Sequence, residues 1–239
     1  MKIKILGTRG EIDFSLPYHS KHSGLLIDKG LLFDMGEKEF LKHQPKYIFL
    51  THLHPDHAFF IRSNEKLINL FSKKVPLIFA PEKDRVNSEL INLIKPLQRI
   101  KFKNYQVFPI PTHHSKKVKS TAYLIQRGKK RILYTGDMIW IDKRYHSLLN
   151  NLDLVITEGS FIKKGGMIRK DSKTGKIYGH TGIPDLINLF KRFTKTIVLI
   201  HFGAWFYRDT NKAREKIKKL AKENNIDILV GYDGKELTV

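Results

Sequence analysis

Short apolar runs in this chain stop repeatedly at a histidine or a carboxylate. Tyr47 to Thr51 gives way to His52, Tyr105 to Ile110 leads to His113, Arg131 to Tyr134 to Asp137, Leu152 to Thr157 to Glu158, and Thr196 to Ile200 to His201. Runs of this length, rich in β-branched and aromatic residues, read as strands. The pattern therefore gathers chemistry-bearing side chains at strand ends. Lys2 to Leu6, Gly24 to Asp28 and Leu31 to Asp34 read as further strands, the last pair joined in hairpin fashion through Lys29 and Gly30, so the opening is predicted to be antiparallel. Pro76 to Ala80, Thr121 to Gln126, Ile226 to Val230 and Glu236 to Val239 complete the predicted strands. Helical spacing is read over Asn64 to Ser72, Glu82 to Ile94, Pro184 to Phe193 and Asn211 to Glu223, giving an α/β chain. No repeat, low-complexity tract or Pro/Gly-rich linker interrupts it, so one domain over residues 1–239 is expected.

The densest chemistry lies in Thr51-His52-Leu53-His54-Pro55-Asp56-His57. Histidines at i and i+2 of an extended stretch project to the same side, and a carboxylate and a third histidine follow as the chain turns. The chain has no cysteine, so any metal is held by nitrogen and oxygen, which suits zinc, manganese or iron. The segment is too dense for one tetrahedral ion unless residues elsewhere contribute. Two ions a few ångströms apart would use all of it. The plain alternative is a surface histidine cluster with no ligand role, which this spacing at a strand end disfavours.

Lys and Arg number 44 against 23 Asp and Glu, a formal net charge of +21, while 41% of residues are apolar and 11% aromatic. Such a chain folds, and it repels itself unless a polyanion such as nucleic acid partners it. A lysine-rich, solvated surface is the alternative. No run is apolar and long enough to span a bilayer, and the Met-Lys-Ile-Lys-Ile-Leu-Gly start lacks the apolar core of a signal peptide. No membrane partner and a cytoplasmic location are expected.

The His-x-His-x-Asp-His segment after a strand resembles the hallmark of the metallo-β-lactamase superfamily, and the resemblance extends over nearly the whole chain. It implies a four-layer αββα sandwich with a dinuclear metal site. Asp34 in Phe33-Asp34-Met35-Gly36 matches the family's early Asp, which supports the metal-binding loop. Further ligands are matched by a histidine of Thr112-His113-His114-Ser115, by Asp137 in Thr135-Gly136-Asp137, and by His201 in Ile200-His201-Phe202. Carried over, His52, His54 and His114 would hold one ion, Asp56, His57 and His201 the other, and Asp137 would bridge them, with the nucleophilic water between. His114 is preferred to His113 because a His-Ser pair is common at that point in relatives. The member of the pair left over would stand behind the ligands or face substrate. Zinc is the expected ion, with manganese or iron as alternatives. Flavo-diiron relatives generally carry Glu where this chain has His54, so a redox role is disfavoured.

Ile156-Thr157-Glu158-Gly159-Ser160-Phe161 is similar to a degenerate form of the His-Glu-Ala-Thr segment of tRNase Z. Gly179-His180-Thr181 resembles the His-x-Thr element of the phosphodiesterase branch that includes tRNase Z and PhnP-like enzymes. The resemblance implies His180 as general acid, its ring held by Glu158, and Asp56 as a catalytic carboxylate. Thr157 stands where that segment has its first His, and no counterpart of the tRNA-gripping arm is present, which weighs against tRNA 3′-end maturation.

A basic hairpin is expected near residues 161–178, where Lys163, Lys164, Arg169 and Lys170 would contact phosphates or simply face solvent. The basic face of the last helix reads as solvated, and Trp205, Phe206 and Tyr207 as base-stacking or core residues. The expected function is a metal-dependent phosphodiesterase or ribonuclease acting on RNA or another nucleic acid. The alternatives are the same fold hydrolysing a small substrate (a cyclic nucleotide, lactone or thioester) and a metal-stabilised nucleic-acid-binding module. Relatives are often dimers, so a homodimer is compatible with the resemblance.

Overall fold

In a computed structural model, which describes residues 1–71 and 74–239, the apolar runs form strands. In chain order these are β1 (Lys2–Gly7), β2 (Gly24–Ile27), β3 (Leu31–Phe33), β4 (Tyr47–Phe49), β5 (Leu77–Ala80), β6 (Ile91–Leu93), β7 (Ile100–Phe102), β8 (Tyr105–His113) and β9 (Ser120–Arg127). There follow β10 (Lys130–Tyr134), β11 (Trp140–Ile141), β12 (Leu154–Gly159), β13 (Met167–Lys170), β14 (Ile177–His180), β15 (Thr196–Phe202), β16 (Asp227–Val230) and β17 (Glu236–Thr238). The α-helices are α1 (Phe60–Ser63), α2 (Ile183–Phe190), α3 (Ala204–Arg208) and α4 (Thr210–Asn224).

One sheet runs β17-β1-β2-β3-β4-β5-β6, and the other β11-β8-β9-β10-β12-β15-β16 with β7 added on β8. The expected antiparallel opening is present in β1, β2 and β3. Asp28 and Lys29 both take positive φ (43° and 59°) between β2 and β3, the mirror-image turn whose twist matches a hairpin. From β3 to β6 the pairing is parallel, as it is along β10, β12, β15 and β16. Parallel strands are covered on both faces, so β12 and all but the first residue of β15 are buried or nearly so. That is why their sequences read as unbroken apolar runs.

Three apolar layers follow from this. Phe33, Phe49, Tyr123 and Tyr134 pack between the sheets, with Phe33 stacked on Phe49 at 5.1 Å. Ile183, Leu186 and Phe190 of α2, Phe206 of α3 and Ile217 of α4 cover the second sheet. Phe40, Phe60 and Leu67 cover the first, carried by α1 and by 3-10 turns at Lys38–His43 and Leu67–Leu70. Each fully buried side chain of this size contributes about 1.5–3 kcal/mol. The result is the four-layer αββα sandwich, with one outer layer built from helical segments of one or two turns.

Two predicted helices are corrected. Over Glu82 to Ile94 the chain forms turns and then β6, because the Asp84 carboxylate accepts from the backbone and side-chain N–H of Asn87 at 2.8 Å. The Asn87 side-chain oxygen in turn accepts from Leu67 N–H. Such local bonds compete with a helix. Over Asn64 to Ser72, Asn64 is left-handed (φ 53°) and ends α1, and only Leu67–Leu70 winds, as 3-10; Ser72 lies outside the described residues. The expected basic hairpin is present as β13 and β14. No helix among the described residues is long and apolar enough to cross a membrane.

Asp34, directly after β3, ties the sheets together where their strands end. Its buried carboxylate accepts from Thr51 N–H (2.7 Å), the Thr51 hydroxyl (2.9 Å), His57 Nδ1 (2.7 Å) and, from the second sheet, the Tyr134 hydroxyl (2.8 Å). A buried carboxylate is tolerated only when its lone pairs are matched in this way. Packed edge-on against Phe202 at the end of β15, His19 is only 3% exposed. The Thr8 hydroxyl donates to Asp233, so His19 Nδ1 donates to Thr8 and His19 Nε2 accepts from Arg214. Burial, reinforced by the Arg214 charge, pushes the His19 pKa down to about 4.

Two outcomes are expected. Asp34→Ala strands several buried donors and lowers stability in urea unfolding by ~3 kcal/mol or more, and Asp34→Asn, which sets an N–H against two donors, by ~1–3 kcal/mol; wild-type stability in both would refute the central role of Asp34. Because His19 binds its proton more weakly folded than unfolded, its contribution is intact above pH ~6.5 and is lost as pH falls towards 4. The urea midpoint should thus drop further between pH 7 and pH 5 in wild type than in His19→Gln, and equal drops would contradict it.

Candidate metal centre

His52 and His54 follow β4, His114 follows β8, and their ring nitrogens converge. The Thr51 hydroxyl gives its proton to Asp34, so it accepts from His52 Nδ1 (3.0 Å), and His114 Nδ1 donates to the Gly179 carbonyl (2.9 Å). Both rings therefore turn an Nε2 lone pair inward, towards His54 Nδ1 at 3.1 and 3.2 Å. One proton on His54 satisfies at most one of them. Donors held about 2.0–2.1 Å from one tetrahedral ion lie roughly 3.3 Å apart, so the spacing fits a shared cation. Burial, then the neighbouring histidines, lowers the pKa of His52 far below its usual value and that of His54 to about 4; burial likewise lowers that of His114. All three are neutral, the form that ligates.

A second group joins Asp56 and His57, from the loop after His54, to Asp137 and His201. His201 Nε2 lies 2.9 Å from Asp56 Oδ2, and its Nδ1 is hydrogen-bonded with the Ser160 hydroxyl at 3.0 Å. Asp137 stands between the groups, with Oδ1 3.3 Å from His57 Nε2 and His201 Nδ1, and Oδ2 3.8 and 3.7 Å from His52 and His114 Nε2. Its Oδ1 is buried without a hydrogen-bond partner. Burial opposes charge on both histidines here, but the surrounding carboxylates, Asp137 foremost, prevail and raise the pKa of His57 and of His201. Burial likewise opposes ionisation of Asp56 and Asp137, and the histidines overcome it, lowering both. The field that favours protons on these rings favours a cation among them equally. The donors of each group lie within 4.8 Å of one another, so the His/Asp cluster is able to hold metal.

Backbone strain helps to make this convergence. Gly136 has φ +58°, and a Cβ on it would stand 2.6 Å from the Thr51 side chain, so only glycine lets the turn after β10 bring Asp137 into place. His201 itself is left-handed (φ 51°), a conformation non-glycine residues hold only where surroundings enforce it.

His180 ends β14 beside the cluster. Gly179 N–H donates to the His114 carbonyl at 2.7 Å, so with the His114 Nδ1 bond the hairpin is clasped to the His114 loop twice. His180 Nδ1 donates to Glu158 Oε2 at 2.7 Å, while Glu158 Oε1 accepts from Met138 N–H. Burial would lower the His180 pKa, but Glu158 and then Asp137 outweigh it and raise it to about 9. His180 also falls within reach of His114 and Asp137 as a third possible ligand grouping.

A cavity of about 590 Å³ opens over Asp56, Asp137, His180 and His201, walled by Phe161, Met167 and Trp205. Of the four cations expected at phosphate, Lys163 alone lines it. Lys164 is exposed nearby; Arg169 lies one step outward of Met167 on the same hairpin face, and Lys170 on the other face. His113 is corrected as a ligand candidate: its Nε2 bonds Asp142 at 2.9 Å, away from the cluster, while His114 joins it. Phe206 and Tyr207 are core residues, whereas Trp205 faces the cavity with its indole N–H on the Gly159 carbonyl. Sequence reading missed Thr51, Tyr134 and Ser160 as partners of the cluster and Arg208 as a second cavity cation. Only the position of Ser160, next but one to Glu158 at a strand end, offered a signal.

The β-lactamase superfamily domain profile matches residues 35–202. Among solved structures, the metallo-β-lactamase fold protein YhfI from Bacillus subtilis superposes with TM-score 0.72 at 16% identity, covering 99% of this chain and 98% of that one. The short form of human tRNase Z gives 0.67 at 18% identity, covering 100% and 99%. A diphosphatase of the PhnP family gives 0.65 at 12%, covering 100% and 97%. A search among curated protein sequences finds no significant match. The profile spans most of the chain and contains the His/Asp cluster up to His201, and on that ground this protein belongs to the β-lactamase superfamily.

Proposed function

We propose that the protein is a dinuclear metal-dependent phosphodiesterase acting on RNA or another nucleic acid. His52, His54 and His114 would hold one ion, and Asp56, His57 and His201 the other, with Asp137 spanning both. Zinc fits this nitrogen and oxygen set, as do manganese and iron. Divalent ions bound there supply Lewis acidity and lower the pKa of water from about 15.7 to about 7.

The observation that carries the reading is the His180–Glu158 pair at 2.7 Å on the wall of the metal cavity. Glu158 accepts the Nδ1–H hydrogen bond, so the ring presents Nε2 to the cavity. As the phosphorus–oxygen bond to the leaving group breaks, Nε2–H protonates the departing alkoxide. Asp56, kept ionised by His57 and His201, is too weak a base to keep a proton and would orient the attacking water by accepting its hydrogen bond, the water's proton passing to solvent near neutral pH. Lys163 and Arg208 line the same cavity and make no salt bridge among the described residues, leaving both free for flanking phosphates. The charge of +21 favours a polyanion over a small neutral ester. Two structural neighbours carry the names of phosphate-cleaving enzymes, a tRNase and a diphosphatase.

The test is cleavage of a structured RNA and of a small chromogenic phosphodiester by Zn- or Mn-loaded protein. RNA cleavage should fall steeply with added salt, small-diester turnover should not, and Asp137→Ala should abolish both. Cleavage of the small diester alone would transfer the protein to small substrates; cleavage of neither would favour carboxyl esters or a binding module. His180→Ala should lower turnover about 10²- to 10⁴-fold with metal content intact. Loss of metal in that variant would instead make His180 a ligand.

A further inference from the structure

A second and larger cavity, of about 870 Å³, reaches His114 from outside the metal cavity. Lys95, Lys116, Lys117, Lys119 and Lys176 stand on its walls against one acid, Glu82. Lys116 is engaged by Asp171 at 2.5 Å and Lys119 lies beside Glu82, but Lys95, Lys117 and Lys176 make no salt bridge among the described residues. Three ammonium groups are thus free along one cleft.

The same cleft contains a feature that the hydrolytic chemistry does not use. His113 of β8 and Trp140 of β11 face each other across the strand pair and stack at 4.3 Å with their planes 19° apart. Asp142 Oδ1 accepts from His113 Nε2 (2.9 Å) and from the Trp140 indole (3.3 Å), which locks the two rings parallel. The His113 side chain is nonetheless 43% exposed. Leu93 and Ile177, both exposed, add apolar surface to the walls, and the buried Thr112 hydroxyl there has no hydrogen-bond partner.

We propose that this cleft binds a single-stranded nucleic acid that continues from the metal centre past His114, one base stacking on the His113–Trp140 pair and phosphates meeting Lys95, Lys117 and Lys176. Flat aromatic surface interleaved with free cations is what bases and phosphates together require, and stacking accepts any base. An acidic peptide would use the lysines but leave the clamped rings without a matching face. A second copy of this chain, itself at +21, would set like charges against these lysines. The inference rests on the phosphodiesterase reading, because it treats the bound strand as the continuation of the one that is cut.

Fluorescence anisotropy of a short fluorescein-labelled oligouridylate with the 239-residue chain tests it. Trp140→Ala should weaken binding roughly 5- to 150-fold, while Trp140→Phe, which retains a stacking ring, should keep most of the affinity. Lys117→Ala combined with Lys176→Ala should make the salt dependence shallower by about 1.4 in the slope of log affinity against log salt. Wild-type affinity in Trp140→Ala together with an unchanged slope in the lysine variant would overturn the proposal. So would a change of sedimentation mass in Trp140→Ala at unchanged oligonucleotide affinity, which would make the cleft a contact between copies. Small-diester hydrolysis by the wild type is read separately. Its absence together with absence of RNA cleavage would sink the phosphodiesterase reading, and the anisotropy result would still decide whether the cleft holds a strand.

Discussion

The arrangement depends on one buried carboxylate. Asp34 sits where β3 ends and receives donors from the end of the first sheet, from the metal loop and from β10 of the second sheet. Each donor also fixes something else. With its hydroxyl proton committed to Asp34, Thr51 accepts from His52 and so determines which nitrogen of that ring points inward. By donating Nδ1–H to the same carboxylate, His57 turns Nε2 towards Asp137. A histidine orients its inner nitrogen through the bond its outer nitrogen makes, and here one Asp governs two rings. Tyr134 contributes the covalent link to Asp137, which the chain reaches three residues further on through the Gly136 turn.

The cluster is electrostatically divided. Its first half is three neutral imidazoles, and its second half pairs imidazoles with ionised carboxylates. Asp137 faces both halves through different oxygens. Replacing such a residue by a shorter or neutral one would unbalance both halves at once. Glu158 applies the same principle one shell outward: fully buried, it satisfies one oxygen on a backbone N–H and directs the other to His180. Thus the ring proposed to donate a proton is oriented by a group that does not share the cavity.

The part of this that the sequence made legible is the part decided locally. Strand ends could be read from where apolar runs stop, and His52, His54, Asp56 and His57 lie close because six consecutive residues cannot be far apart. His114, Asp137 and His201 joined them through the family resemblance, and the structure brings them together. What stayed hidden depends on pairing over distance. Tyr134 and Asp34 are 100 residues apart, and nothing in either local sequence announces the bond. The helix expected over Glu82 to Ile94 failed because apolar spacing cannot reveal that Asp84 and Asn87 bond each other and Leu67. His113 and His114 differ only in which side of a strand end each faces. The pleat sends one to Asp142 and Trp140 and leaves the other to the cluster.

Charge in this molecule is sorted by depth. Asp56 and Asp137 are buried on the cavity floor, with Asp34 and Glu158 buried behind them, while the lysines that give the chain its excess of positive charge lie on the rims of both cavities and over the surface. By itself a floor of carboxylates repels a phosphodiester, and cations among those carboxylates reverse its sign. The rim attracts a polyanion whatever the state of the floor. On the proposed reading, capture and cleavage therefore draw on separate sets of charges. Capture by exposed lysines weakens with salt because it releases counterions. The desolvated carboxylate, histidine and cation contacts on the floor are screened far less. On that reading an anionic chain is held along the clefts while its scissile group meets the buried His/Asp floor, where bound cations would neutralise charge as the bond breaks.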